Sequence, residues 1–188
     1  MANKMTVALT LEQFKEIINT MRSGGAGFRA NDKIATVLIL EANLGLRIQD
    51  ILKLHLSDIV KDGANYRFNI IEQKTGKKRT FMVPVPVYQF IYMYCSENNI
   101  GKNDIIFPFT TRAVQKYLKK VTDYLGMDNV GTHSFRKFFA TDVYEKNNYD
   151  VELVRELLQH SSTSITQQYI RRSAKRVEDA IQKHIYII

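Results

Sequence analysis

The chain has little of several residue types. Among its 188 residues are one cysteine, Cys95, three prolines, nine glycines and no tryptophan. A single cysteine excludes an intramolecular disulfide and any zinc cluster built on cysteines. The longest apolar runs, such as residues 37–40, are far shorter than the roughly 20 residues that span a bilayer, and the N-terminus has no apolar signal-peptide segment. The simplest interpretation is a soluble, cytoplasmic protein with no segment in the membrane.

Charge is the most one-sided property of the chain. Its 27 lysines and arginines outnumber its 19 aspartates and glutamates, which gives a formal net charge of +8. Hydrophobic residues make up 45% of the chain, so a disordered chain is excluded. Typical domains hold about 100–200 residues, and we therefore expect one domain. The excess positive charge calls for a polyanionic partner, nucleic acid first and an anionic membrane surface second.

Helical periodicity dominates both ends of the chain. Apolar residues recur every three or four positions over residues 11–21, and Thr10 can cap this helix. A second helix, capped by Asn31 or Asp32, should stop near Gly45. Further helices are predicted at 48–54, from about Pro86, and at about 111–125, 132–147, 150–159, 163–170 and 174–186.

The middle of the chain changes to a period of two. Residues 66–70 and 79–83 alternate and are rich in β-forming side chains. Between them, residues 73–78 form a polar turn that contains glycine and three lysines. The pattern predicts a β-hairpin with a strongly basic tip, ended by Pro84. The predicted fold class is therefore mostly α with a small antiparallel β-sheet, an α+β domain.

Two local patterns have residue types suited to a phosphate. In the first, Gly45 allows a sharp turn, Arg47 follows at the start of a helix, and Asp50 one turn later can hold the guanidinium. In the second, His133 and Arg136 are three residues apart on one helix face, which suits a clamp for a phosphate or an oxyanion. Taken singly, each is more often an ordinary surface ion pair or helix cap.

Two more patterns add a nucleophile and a lysine. His160 and Tyr169 are nine residues apart, and in an unbroken helix about 2.5 turns would put them on opposite faces. The serine and threonine run at 161–164 should break the helix and let both side chains turn toward one site. Lys74 lies at the hairpin tip. Taken singly, these are most simply a surface aromatic and a mobile surface lysine.

Together the four patterns resemble the catalytic domain of the tyrosine recombinases, the phage integrases and their relatives. The order matches along nearly the whole chain: an arginine in Gly-Leu-Arg, a hairpin lysine, His-x-x-Arg, Leu-Leu-x-His-Ser-Ser and then a tyrosine. The catalytic set that the resemblance implies is Arg47, Lys74, His133, Arg136, His160 and Tyr169, with Asp50 as a supporting acid. Lys77 and Lys78 compete with Lys74 for its place. Gln159 is a departure, because the family more often has glycine there.

The resemblance implies that DNA is broken and rejoined through a covalent 3′-phosphotyrosine on Tyr169. The side chains expected on the non-bridging phosphate oxygens are Arg47, Arg136 and His160. His133 would accept the phenol proton, and Lys74 would protonate the leaving 5′-oxygen. Since arginines and a lysine supply the positive charge and the phosphotyrosine keeps the phosphoester bond, the resemblance implies no metal and no nucleotide cofactor.

The remaining basic residues are expected to contact the DNA backbone. They are Lys77, Lys78, Arg79, Arg112, Lys116, Lys119, Arg171 and Arg172. The implied partner is double-stranded DNA. Apolar residues recur at helical spacing in the C-terminal segment 174–188, and the resemblance implies that this segment docks on a neighbouring protomer in a tetramer on DNA. Folding back on its own core is an equally open alternative.

Other functions stay open. They are a type IB topoisomerase-like relaxase, a DNA-binding protein without catalysis and, more weakly, a histidine-based metal hydrolase. The Leu-Leu-Gln-His-Ser-Ser pattern favours the recombinase, and the presence of every expected side chain argues against loss of catalysis. Nothing in the chain corresponds to the N-terminal core-binding domain of the family. We therefore expect a single catalytic domain over 1–188, excised from a longer bacterial or phage protein rather than a short member that resembles the fimbrial phase-variation invertases.

Overall fold

A computed structural model of the chain describes residues 6–72, 74, 76 and 78–170. This part of the chain forms α-helices around a small sheet, so the predicted fold class is confirmed. In chain order the elements are α1 (Leu11–Ser23), α2 (Asp32–Leu44), α3 (Ile48–Ile51), β1 (Ile59–Asp62), β2 (Asn65–Ile71), β3 (Lys78–Val83), α4 (Val85–Glu97), α5 (Thr111–Tyr124), α6 (Thr132–Lys146), α7 (Val151–Leu158) and α8 (Thr163–Gln167).

The long helices begin where short polar side chains can cap them. Thr10 Oγ1 accepts from the Gln13 N–H at 3.2 Å, and the Gln13 side chain accepts from the Thr10 N–H at 2.9 Å, which forms a capping box. Asn31 and Thr110 cap α2 and α5, and the side-chain oxygen of each accepts from the backbone N–H three residues later. The helix predicted at 174–186 lies outside the described residues.

Two helices are shorter than the sequence predicts. Helix α3 ends at Ile51 rather than at residue 54, because the chain turns there to let the Leu54 carbonyl accept from the Ile106 N–H at 2.9 Å. Helix α8 ends at Gln167 rather than at residue 170. Its last turn closes through the Tyr169 N–H, which donates to the Thr166 carbonyl at 2.8 Å, a tight turn typical of helix ends.

The sheet has one strand more than the sequence predicts. β1 pairs with β2 and β2 pairs with β3, all antiparallel, so that β2 lies in the centre. Ile59, Phe68 and Phe81 oppose one another across the three strands and pack on the inner face. Strand β1 could not be predicted from periodicity, because its one buried residue followed by three exposed ones gives no alternating pattern. The basic turn joins β2 to β3 as predicted.

Helix α2 is the central helix of the core. Nine of its 13 residues are buried, and α1 and α6 pack against it. The interface between α2 and α6 also contains two fully buried charged residues, Glu41 and Arg136. Buried charges are costly unless they have partners, so this interface must supply polar groups to Arg136.

A second, smaller apolar cluster joins α6 to α7. Its buried members are Ala140, Val154 and Leu158, and Tyr169 packs against them from its edge. The candidate nucleophile therefore lies on the same side of α6 as the end of α7. In the described part of the chain, no helix combines the length and the apolar character needed to cross a membrane.

Candidate active site

The turn after α2 brings the two candidate arginines together. Gly45 has φ 58° and ψ 20°, in the left-handed region, and a Cβ there would lie 2.4 Å from the Phe139 ring. Both the backbone and the packing therefore require glycine. The Gly45 carbonyl accepts a hydrogen bond from Arg136 Nη1, and Arg47 begins α3 two residues later. The Gly-Leu-Arg motif thus binds Arg136 through the Gly45 carbonyl, and its own arginine is Arg47.

Arg136 ties three elements to one another. Besides Gly45 at the end of α2, it reaches the Leu158 carbonyl at the end of α7, where Nη2 donates at 2.8 Å. Its side chain has no exposed surface. Burial raises the pKa of the neighbouring Glu41 carboxyl well above its ordinary value, while the Arg136 guanidinium and the Ile48 backbone N–H oppose that rise. Arg136 is therefore fixed in place by two backbone carbonyls.

Arg47 forms an ion pair that the sequence analysis missed. Its Nη1 donates to Glu72, whose side chain has no exposed surface, while 15% of the Arg47 side chain is exposed. Asp50 lies buried one turn into α3, beside a cavity lined by Lys53, His55 and other residues. That Asp50 also holds this guanidinium stays a prediction. Phe68 and Ile70 alternate inward along β2, and continuing that alternation to residue 72 would have placed Glu72 on the buried face.

Glu72 also holds the turn that bears Lys74. Its carbonyl accepts from the Gly76 N–H at 2.9 Å, which closes the turn around Lys74. Lys74 is exposed, yet its charge is among those that lower the pKa of His133. Lys78, at the start of β3, is exposed as well. Lys77 and the side chain of Arg79 lie outside the described residues.

The break between α7 and α8 turns His160 toward Tyr169. Helix α7 ends at Leu158, Ser162 caps α8, and the two ring centroids of His160 and Tyr169 are 4.6 Å apart. The His160 Nδ1 atom lies 3.1 Å from the hydroxyl of the fully buried Thr166. Because Thr166 also accepts from the Tyr169 N–H, one threonine fixes both the histidine ring and the backbone of the tyrosine.

Gln159 adopts a backbone conformation that favours glycine. Its φ of 52° and ψ of 41° are left-handed, a conformation that costs an L-residue about 1–2 kcal/mol and glycine almost nothing. In the described structure its buried Oε1 has no hydrogen-bond partner. The backbone geometry that glycine would adopt freely is therefore kept here at some cost in stability.

A lysine and a histidine of α6 lie beside the ring of Tyr169. Its centroid lies 6.5 Å from that of His133 and 5.5 Å from Lys137 Nζ. His133 keeps some exposure to solvent, but desolvation first, and then Arg136, Lys137, Lys74 and Arg47, lower the pKa of His133 below its ordinary value. Arg47, Lys74 and Arg136 thus act electrostatically on His133, and the rings of His133 and His160 lie next to that of Tyr169.

The other basic residues are only partly described. Arg112, Lys116 and Lys119 lie on the exposed face of α5, where Lys119 pairs with Asp123. Arg171, Arg172 and the tail at 174–188 lie outside the described residues. Within the ranges that the structure covers, no group of three or more His, Cys, Asp or Glu side chains is placed to hold a metal ion.

Comparisons with known proteins identify the family of the chain. The model of the "Phage integrase family" matches residues 8–176. The probable integrase/recombinase YoeC of Bacillus subtilis is 30% identical over 141 residues, which cover 71% of this chain and 75% of YoeC. The tyrosine recombinase XerA of Pyrococcus furiosus is 26% identical over 94% of this chain and 61% of its own length. This chain belongs to the phage integrase family.

Solved structures show the same fold. A post-cleavage complex of the XerH site-specific recombinase with its palindromic difH substrate superposes with a TM-score of 0.75 at 21% identity, over 97% of this chain and 54% of XerH. The XerA recombinase superposes with a TM-score of 0.71 at 18% identity, over 100% of this chain and 67% of its own. The fold is therefore that of a tyrosine recombinase catalytic domain, and the chain spans only part of most of these longer relatives.

Proposed function

We propose that the chain is the catalytic domain of a site-specific recombinase that cleaves and rejoins double-stranded DNA through a 3′-phosphotyrosine on Tyr169. The observation that carries the proposal is the position of the Tyr169 ring, which contacts His160 and His133 inside a cluster of cations. A phenol has a pKa of about 10 and is a weak nucleophile until a base or a positive field assists it. Here His133 is the base, and the neighbouring lysines and arginines provide the positive field.

In the cleavage step the Tyr169 hydroxyl oxygen bonds to phosphorus as the bond from phosphorus to the 5′-oxygen breaks. The phenol proton passes to His133, whose lowered pKa keeps its ring neutral and ready to accept it. Lys74 donates a proton to the departing 5′-oxygen. Rejoining reverses these transfers, so the phosphoester is conserved and no energy source is required.

Three side chains stabilise the charge that develops on the non-bridging oxygens. They are Arg47, Arg136 and His160. Because Arg136 has no exposed surface, the groups that cover it must move before a phosphate reaches its guanidinium. The carbonyls of Gly45 and Leu158, which accept from Nη1 and Nη2, hold the guanidinium at this position.

The partner and assembly follow from the same proposal. Double-stranded DNA is the substrate, and the exposed Arg112, Lys116 and Lys119 contact its backbone. Lys77, Lys78, Arg79, Arg171 and Arg172 are proposed to do the same. The tail at 174–188 docks on a neighbouring protomer in a tetramer on DNA, and the protein acts in the cytoplasm of a bacterial host.

A type IB topoisomerase-like relaxase is the alternative that uses the same side chains. The family match and the structural likeness to recombinases favour strand exchange. A supercoil-relaxation assay beside a two-site recombination assay, performed with the full-length protein, separates the two. Relaxation by a monomer without exchange between two sites would support the relaxase.

We expect Tyr169→Phe to abolish the covalent protein–DNA complex. The substitution removes only the hydroxyl, so the ring keeps its contacts with His160 and DNA binding changes little. The measurement is a denaturing gel of the protein with a nicked suicide substrate, which traps the phosphotyrosine. Tyr124→Phe, at an exposed tyrosine in α5, is the matched control and should form the complex at the wild-type rate. No covalent band with the wild-type chain on its true site would refute the recombinase.

The rate of covalent complex formation should depend on pH through His133. Because burial and four cations lower the pKa of His133, its ring is neutral above about pH 6.5, the ordinary histidine value. The rate should hold steady as the pH falls to that value and then decrease as the ring gains a proton and can no longer accept one.

A variant identifies the titrating group. His133→Gln should be slower at all pH values, by roughly 100-fold, and its acid-side decrease should disappear. His160→Gln should be slow as well but should keep that decrease. If His133→Gln retains the acid-side decrease, another group accepts the proton.

A further inference from the structure

Lys137 is a buried lysine for which the proposed mechanism has no use. It follows Arg136 in α6 and is only 7% exposed. From the sequence, an Arg-Lys pair on a helix indicates a solvated basic face. Fully buried lysines are rare unless they have partners, so the contacts of this one need a reason.

The ammonium group of Lys137 has two described contacts. Nζ donates a hydrogen bond to the Thr6 backbone carbonyl at 2.5 Å and lies 5.5 Å from the centroid of the Tyr169 ring. Thr6 belongs to the segment before α1, and the next residue, Val7, donates its N–H to the Asn129 carbonyl at 3.1 Å. The segment that holds the ammonium is thus itself fixed to the loop before α6.

The chemistry of these contacts explains why the ring lies where it does. A desolvated ammonium is attracted to the electron-rich face of an aromatic ring, and this attraction is stronger in a buried site than in water. Burial lowers the pKa of Lys137, which is the cost that the carbonyl and the ring offset. His133 and Lys137 are four residues apart in α6 and so share one face of the helix. That face therefore presents a histidine and an ammonium to the same ring.

We propose that Lys137 is a positioning residue for the nucleophile. Its ammonium, anchored by the Thr6 carbonyl, holds the Tyr169 ring against α6, between His133 and His160. The inference rests on the proposed function, because it requires Tyr169 to be the group that attacks the phosphate. Lys137 itself touches neither the phosphate nor the leaving oxygen.

The test compares three substitutions by single-turnover cleavage of a nicked suicide substrate. Lys137→Met removes the charge and the donor, Lys137→Gln keeps a donor for Thr6 without the charge, and Lys137→Arg keeps both. We expect the first two to slow covalent complex formation by roughly 10- to 100-fold, since misplacing a reacting group by about 1 Å has effects of that size. Lys137→Arg should restore the rate to within about threefold, because arginine makes the same contact with a ring. Lys146→Met, at an exposed lysine of the same helix, is the matched control.

A second readout separates positioning from general damage to the site. In the Tyr169→Phe background, hydrogen peroxide can be supplied as an external nucleophile toward the same phosphate. Adding Lys137→Met should leave peroxide-driven cleavage and DNA affinity unchanged, because there is no phenol left to position. Parallel loss of tyrosine-driven and peroxide-driven cleavage, or of DNA affinity, would overturn the proposal.

Further outcomes are decisive as well. If Lys137→Met does not fold, the comparison of Lys137→Gln with Lys137→Arg replaces it, and equal rates for these two variants would overturn the role of the charge. A wild-type rate in Lys137→Met would overturn the proposal outright. Absence of any covalent complex with the wild-type chain on its true site would instead refute the proposed function.

Discussion

Replacing Arg136 with methionine is expected to remove much of the stability of the domain together with its activity. In the folded chain Nη1 and Nη2 donate to the carbonyls of Gly45 and Leu158, and the side chain has no exposed surface. Methionine fills part of the same volume but donates no hydrogen bond to either carbonyl. We expect the free energy of unfolding to fall by about 3 kcal/mol, since each buried polar group that loses its partner costs about 1–3 kcal/mol.

The loss of unfolding free energy in Arg136→Met should grow with pH because of Glu41. Burial raises the pKa of this carboxyl, and the Arg136 guanidinium opposes the rise. Without the guanidinium the folded-state pKa of Glu41 rises further, so the folded chain retains a proton that the unfolded chain releases above about pH 4.3. The stability from such a group is present at low pH and is lost as the pH rises toward the folded-state pKa. The wild-type chain loses stability in the same way up to its own, lower folded-state pKa of Glu41, so the deficit of Arg136→Met in urea unfolding should grow with pH above that pKa.

Three further variants identify the causes. Arg22→Met breaks an exposed ion pair with Asp32 and should change the free energy of unfolding by less than about 1 kcal/mol. In the Glu41→Gln background, the deficit caused by Arg136→Met should no longer depend on pH. Arg136→Lys keeps a charge near Glu41 and should lose less stability. An unchanged urea midpoint in Arg136→Met would contradict the anchoring by carbonyls, and a deficit that stays constant as the pH rises in the Glu41 background would contradict the role of Glu41.

Activity should be lost even where the Arg136→Met variant is folded. Removing one group that stabilises developing negative charge slows a reaction by about 100- to 1000-fold. Cleavage of the suicide substrate, measured well below the melting temperature of the variant, should fall by at least that factor. Arg136→Lys should also be slow, because an ammonium group lacks the planar fork that binds two oxygens at once.

The helices of this fold could be predicted because the signals that start and stop them are local. Thr10, Asn31 and Thr110 cap their helices through bonds to residues three positions away, which sequence alone reveals. The ends of α3 and the strand β1 could not be predicted in this way. Both depend on partners far along the chain: Ile106 meets Leu54, and Ile59 meets Phe68.

The candidate site shows the same division. The identities and order of the six catalytic candidates, His133 and Tyr169 among them, came from motifs, and each motif is a short stretch of sequence. The residues that hold them were missed. Glu72 is 25 residues from Arg47, and the Thr6 carbonyl is 131 residues from Lys137. Residues so far apart in the sequence come into contact only once the sheet and the helices have packed, so no local sequence pattern reveals the contact.

Changing Glu72 to glutamine should separate DNA binding from DNA cleavage, which is the second large effect we expect. The Glu72 side chain is fully buried and pairs with Arg47, and its carbonyl closes the turn around Lys74 through Gly76. Glutamine keeps the size and one acceptor but removes the charge. The guanidinium of Arg47 is then less firmly aimed, and cleavage should slow by roughly 10- to 100-fold.

DNA affinity should respond in the opposite direction. Removing a negative charge beside the phosphate site weakens repulsion, so Glu72→Gln should bind DNA as tightly as the wild-type chain or more tightly, most visibly at low salt. Arg47→Met should bind DNA more weakly and cleave it more slowly. Asp62→Asn is the control for charge alone, because it removes an exposed carboxylate from the same sheet. It should leave the cleavage rate unchanged.

The double variant tests whether the two residues act as a pair. Arg47→Met breaks the ion pair of a fully buried carboxylate and should cost about 3–5 kcal/mol of unfolding free energy. Adding Glu72→Gln removes the buried charge itself, so the double variant should be more stable than Arg47→Met although it carries one more substitution. A double variant no more stable than Arg47→Met would show that the ion pair contributes nothing to the fold. Faster cleavage by Glu72→Gln would show that Glu72 restrains Arg47 rather than aiming it, because the freed guanidinium would then reach the phosphate more readily.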